Sequence, residues 1–96
     1  MGEEVIRVKL PESEDEVFGI IEEALGGDRF SVKCEDGKVR ICRLTGRIRK
    51  RIWISRGDLI LVKKWKIGGD KKGDIIHKYS PTEFFWLKNK GIIKNL

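Results

Sequence analysis

Polar and apolar positions alternate with a period of two over much of this chain, so the pattern predicts strands rather than helices. Residues 29–35 place Phe30, Val32 and Cys34 on one face and Arg29, Ser31 and Lys33 on the other. Asp36-Gly37 reads as a hairpin turn, pairing Cys34 with Val39. The following strand, 38–44, then turns Val39 and Ile41 inward and Lys38, Arg40 and Cys42 outward. Upstream, residues 15–25 (DEVFGIIEEAL) form a β-branched and aromatic run. Gly19 within it would cost a helix about 1 kcal/mol but marks a bulge or tight bend in a strand. Gly26-Gly27-Asp28 closes this first strand with a turn.

Beyond the hairpin, Ile48 and Ile52 stand four apart, one helical turn anchored by two apolar side chains. Ser55-Arg56-Gly57-Asp58 is a turn. Residues 59–62 (LILV) are apolar on both faces, as expected for a strand covered on both sides or bent into a barrel. A flexible basic loop follows at 68–74, without the spacing of a phosphate-cradling nucleotide motif, and residues 75–79 make a fifth strand. Ser80-Pro81-Thr82-Glu83 opens a helix with Ser at the N-cap, Pro at the first position and Glu three after the cap, and Gly91 suits the position past its end. Phe84, Phe85 and Leu87 give that helix an apolar face, expected to plug the open end of a barrel. The organisation read this way is a flexible arm at 1–14 with a short alternation at Val5, Ile6, Val8 and Leu10, a five-stranded domain at 15–80, a packed helix at 81–91, and a tail at 92–96 whose Ile92, Ile93 and Leu96 have no evident packing partner. Five strands, a helical turn between the third and fourth, and a glycine bend in the first describe an all-β, five-stranded Greek-key barrel of the OB type.

Charge sharpens this picture. The net charge of +6 conceals an asymmetry: residues 1–37 carry eleven acids and four bases, residues 38–96 four acids and seventeen bases. Lys38, Arg40, Arg43, Arg47, Arg49, Lys50 and Arg51 fall in a single stretch without a carboxylate before Asp58. Such a block repels itself, and a polyanion that neutralises it releases counterions. Interspersed Val39, Ile41, Leu44, Ile48, Ile52, Trp53 and Ile54 demand burial, so the cations sit on a folded scaffold and nucleic acid is the expected partner.

Little in the sequence suggests chemistry. His77 stands alone in a strand pattern, and Ser31, Ser55 and Ser80 have no His or Asp company close in sequence. Cys34 and Cys42, read as facing opposite sides, make no disulfide. With His77 they would lack a fourth metal ligand and the usual close spacing. The expectation is a non-enzymatic protein with no metal and no cofactor. No apolar run approaches a membrane span and the acidic N-terminal stretch does not resemble a signal peptide, so a cytoplasmic location is expected; a monomer is also expected. The absence of glutamine with abundant Ile, Lys, Arg and Glu is compatible with a heat-adapted source.

The stretches DGKVRICRLTGRIRKRIWI at 36–54, GDLILVKKW at 57–65, GDIIHKY at 73–79 and TEFFWLKNKG at 82–91 resemble the archaeal and eukaryotic translation initiation factor 1A family. The resemblance implies an OB-fold factor in the aminoacyl-tRNA site of the small ribosomal subunit, where it blocks that site and, with other initiation factors, assists initiator tRNA placement and start-codon selection. Carried onto this chain, the ribosomal RNA contacts would be Arg40, Arg43, Arg47, Arg49, Lys50 and Arg51, with Lys64, Lys66, Lys71 and Lys72 nearby. The family also contacts the subunit-joining GTPase factor through its tails, which makes Ile92, Ile93 and Leu96 candidate partner residues, although GIIKNL replaces the acidic C-terminal motif. Two rival readings are a general single-stranded RNA-binding OB protein, for which a row of surface aromatics would be expected on strands two and three, and a protein-interaction module docking through the C-terminal tail.

Overall fold

One long strand closes the structure on itself. In the computed structural model, which describes residues 8–45 and 53–96, β1 (Glu16–Gly26) pairs antiparallel with both β2 (Arg29–Cys34) and β4 (Leu59–Lys64). Gly19 sits opposite Cys34 on one side and Ile60 on the other. β3 (Val39–Leu44) pairs antiparallel with β2 and parallel with β5 (Lys72–Lys78), and β5 returns antiparallel to β4, giving a closed barrel in the order β1-β2-β3-β5-β4. This is the five-stranded OB architecture. The expected helical turn at residues 47–52 lies outside the described residues.

Gly19 serves close packing. A Cβ there would lie 2.4 Å from Val32 Cγ1, and one at Gly73 would lie 2.5 Å from Val62 Cγ1. The register shifts of β1 fall later, between Ile21 and Glu23 and between Ala24 and Gly26, so the glycine admits a neighbouring side chain into the barrel and the bulges do the bending.

Side-chain parity along β1 and β4 divides the apolar residues into two cores. Ile60 and Val62 join Ile21, Val32, Cys34, Cys42 and Ile75 inside the barrel. Leu59 and Leu61 point the other way and join Phe18, Tyr79, Leu87 and Ile93 outside it. The four-residue apolar run of β4 is thus buried on both faces. The outer core is capped by α1 (Pro81–Asn89), which begins with the full capping box: Glu83 N–H donates to Ser80 Oγ at 3.1 Å and Ser80 N–H to Glu83 Oε1 at 2.8 Å. It ends at Gly91 (φ 72°), where Gly91 N–H donates to the Lys88 carbonyl and Ile92 N–H to that of Leu87, the paired bonds of a Schellman ending.

Two expectations for this end of the chain are corrected. The helix covers the outer wall of β1 and β4 instead of plugging the barrel's end, because the side chains it meets have the parity opposite to the interior set; Leu87, Phe84 and Trp86 pack there, while Phe85 is exposed. Nor is the tail without partners. Ile93 is 4% exposed, Ile92 and Leu96 pack beside it, and Glu35 accepts hydrogen bonds from Lys94 N–H and Asn95 Nδ2. Residues 8 and 9 are also held, since the Tyr79 hydroxyl donates to the Lys9 carbonyl and Val8 packs on the outer core.

Candidate nucleic-acid interface

The β2–β3 hairpin has a three-residue loop, Glu35-Asp36-Gly37, with Gly37 at φ 86° and Cys34 N–H donating to the Lys38 carbonyl at 2.9 Å. Lys33, not Cys34, therefore pairs with Val39. One extra loop residue reverses every side chain of the following strand. Arg40, Cys42 and Leu44 face inward, and Val39, Ile41 and Arg43 face out, the opposite of the expected assignment. Both cysteines consequently sit on the same side, buried and free in one core, and burial pushes the Cys42 thiol up to about 12.

Arg40 is the main casualty of that reversal as an RNA contact. Its side chain is 0% exposed. It donates Nη1 and Nη2 to the two carboxylate oxygens of Asp36 at 3.0 and 2.8 Å, and Nε to the Gly69 carbonyl at 2.6 Å. The Arg40 guanidinium holds Asp36 below the usual carboxylate range. Lys38 pairs with Asp70 at 2.8 Å alongside. Together these contacts fasten the β2–β3 loop to Gly69 and Asp70 in the turn before β5, where Lys71 and Lys72 N–H both donate to the Gly68 carbonyl. The loop expected to be flexible is built as a tight turn, and a Cβ at Gly69 would lie 2.3 Å from the Trp65 carbonyl oxygen.

Cations collect around Trp65, the first residue after β4. Arg43 Cζ and Lys72 Nζ each lie 5.5 Å from its ring centroid, close enough for cation–π attraction. The indole Nε1 donates to Asp74 Oδ1 at 3.1 Å, and Arg43 Nη2 lies 3.6 Å from the same oxygen. A cleft of about 490 Å³ opens on one side of the ring, with Arg43, Lys63, Lys64 and Lys66 on its walls. A smaller one of about 190 Å³ runs between Arg29, Ile41, Arg43, Trp65 and Lys72.

Of the expected contacts, Arg43, Lys64, Lys66 and Lys72 are brought together here. Lys71 is exposed in the neighbouring turn. Lys64 also reaches to 3.9 Å from Asp36. Arg47, Arg49, Lys50 and Arg51 lie outside the described residues. Arg29, Lys63 and Trp65 were not among the expected contacts, yet they line the same wall. Trp65 does stand among lysines in KKWK, an aromatic within a basic run, which is the available sequence signal for it. Among the described residues no group of three or more His, Cys, Asp or Glu could hold a metal ion, and no helix is long and apolar enough to cross a membrane.

A closed five-stranded barrel with an exposed cationic wall and an aromatic ring at its centre defines an oligonucleotide-binding protein of the OB class. Comparison with known proteins narrows the class. The family model described as "Translation initiation factor 1A / IF-1" matches residues 6–96. Translation initiation factor 1A of Pyrococcus abyssi is 50% identical over 92 residues, covering 96% of this chain and 80% of that protein. The factor of Thermococcus kodakarensis is 47% identical over 93 residues, with the same two coverages. Among solved structures, the solution structure of translation initiation factor one from the Wolbachia endosymbiont strain TRS of Brugia malayi superposes with a TM-score of 0.55 at 32% identity, covering 74% of this chain and 86% of that one. The chain belongs to the translation initiation factor 1A / IF-1 family, whose role is that of a ribosome-binding initiation factor.

Proposed function

We propose that this protein docks on the RNA of the small ribosomal subunit at the aminoacyl-tRNA site, excludes elongator tRNA from it, and assists initiator tRNA placement and start-codon selection together with other initiation factors, in the cytoplasm. The observation that carries this reading is the cationic wall around Trp65, where Arg43, Lys64, Lys66 and Lys72 converge. Arg47, Arg49, Lys50, Arg51 and Lys71 extend the same charge in the sequence. Arginine forks engage phosphate oxygens in pairs, and lysines contribute point charges. No bond is made or broken: affinity comes from counterion release and from the fit of a rigid barrel to folded RNA.

If about six phosphates are neutralised, affinity for the small subunit should fall roughly 10³-fold between 50 and 200 mM salt. A flat salt dependence would overturn the electrostatic mechanism, and a footprint on small-subunit RNA away from the aminoacyl-tRNA site would overturn the location. The interaction-module reading loses its basis in the tail, since Ile93 is buried and Ile92 and Leu96 pack with it.

A further inference from the structure

We infer that Trp65 is a stacking platform for one unpaired nucleobase of the bound RNA, whose flanking phosphates lie against Arg43 and Lys72. This deepens the RNA-docking reading and rests on it.

A tryptophan in a small domain ordinarily packs on the core, as the partly buried Trp86 does on the outer core here. Trp65 joins neither apolar core among the described residues and is left partly exposed. Its orientation is nonetheless held, because Nε1 donates to Asp74 Oδ1 and Arg43 Nη2 lies 3.6 Å from that same oxygen. A ring locked in place before its ligand arrives loses little freedom on binding. Apolar surface beside it is also without cover: Ile41 is 37% and Ile67 90% exposed, and each lines one of the two clefts that meet at the ring. Flat aromatic surface, flanking cations and uncovered aliphatic side chains match an unstacked nucleotide, which brings a π face, a hydrophobic edge and an anionic linkage to one place. The position agrees with the fold, whose second and third strands and β4–β5 loop form the usual oligonucleotide wall, and the smaller cleft is lined from β2 and β3 by Arg29, Ile41 and Arg43. A fully paired RNA helix offers its bases no such access, so the ligand is a bulged, looped or otherwise unpaired nucleotide.

The test compares Trp65→Phe with Trp65→Leu in small-subunit binding across a salt series. Phe keeps a flat π face and should bind within roughly threefold of the parent protein. Leu keeps apolar bulk but cannot stack, and should bind about 5- to 150-fold more weakly, with an unchanged log–log salt slope because no phosphate contact is removed. Equal affinities for the two variants would overturn the inference while leaving RNA docking intact; loss of salt-dependent binding by the parent protein would instead overturn the docking reading. A measurement independent of the Leu variant's folding uses Trp65 as the sole indole, in the Trp53→Phe, Trp86→Phe background. Its emission should be quenched when the small subunit is added, and unaltered emission on a bound subunit would refute stacking.

Discussion

Asp36 and Arg40 meet fork to fork, each terminal guanidinium nitrogen donating to its own carboxylate oxygen at 3.0 and 2.8 Å, while Nε is spent on the Gly69 carbonyl. Arg40 is completely buried, so an arginine in the middle of the most basic stretch of the chain acts as a fastener between two loops. Arg40→Ala should cost about 1–3 kcal/mol, because the Gly69 carbonyl loses its donor and Asp36 keeps only the Lys38 N–H and the more distant Lys64. Arg40→Lys should recover only part of this, since a point charge cannot reproduce the planar fork. Chemical denaturation of the two variants measures both.

Arg43 is the contrasting case, three residues along and on the opposite face. Arg43→Ala and Lys72→Ala should each weaken small-subunit binding and lower the salt slope by about one, as expected for the loss of one phosphate contact. Their unfolding midpoints should stay close to that of the parent protein, because both side chains are exposed. A matching drop in stability would show that they act on the fold.

Gly19→Ala should destabilise the barrel by about 1–3 kcal/mol, the usual cost of overpacking, because the new methyl meets Val32 Cγ1 at 2.4 Å. Val32→Ala in the same chain should return part of that loss. A double-mutant cycle would reveal the coupling as non-additivity.

His77 is half-buried, edge-on to Tyr79 with centroids 4.6 Å apart, and its Nε2 is buried without a hydrogen-bond partner among the described residues. Burial holds its pKa below the usual value, outweighing the pull of Glu83 in the other direction, while Lys9 adds to the depression. The unfolded chain therefore takes up the proton first as pH falls. The stabilising contribution is fully present above about pH 6.5 and is lost as pH drops through the lower folded value. His77→Phe should remove this part of the pH dependence, which sets in as pH falls below about 6.5, leaving the acid unfolding that begins near the carboxylate range, where Asp36 must be protonated.

Ile93→Ala should cost about 2–5 kcal/mol, the range for emptying a buried aliphatic site, as this residue is 4% exposed in the outer core. Thermal unfolding of the variant checks it.

Local chemistry made much of this fold readable. The four apolar residues of β4, the Ser-Pro-Thr-Glu opening of α1 and the glycine that ends it each follow from one physical requirement, and the structure meets each where it was expected. The facing of β3 was not readable in the same way. It turns on whether the loop is Asp36-Gly37 between paired Glu35 and Lys38 or Glu35-Asp36-Gly37 between paired Cys34 and Lys38, and the Asp-Gly sequence is compatible with both; that single residue decides which of Arg40 and Arg43 sees solvent. The packing of Ile92, Ile93 and Leu96 escaped for another reason: their partners Phe18, Leu59 and Leu61 are far off in sequence, and only the parity of two distant strands reveals an apolar outer wall. Trp65 was hidden by its company, since KKWK at the end of a strand looks like a strand ending until Arg43 and Lys72 arrive from other parts of the chain.

The helix and the last residues clad the outer apolar wall of β1 and β4, while the cations gather elsewhere among the described residues, around Trp65. Losing that sheath would bare an apolar surface built from Phe18, Leu59 and Leu61, and with it a tendency of the barrel to self-associate.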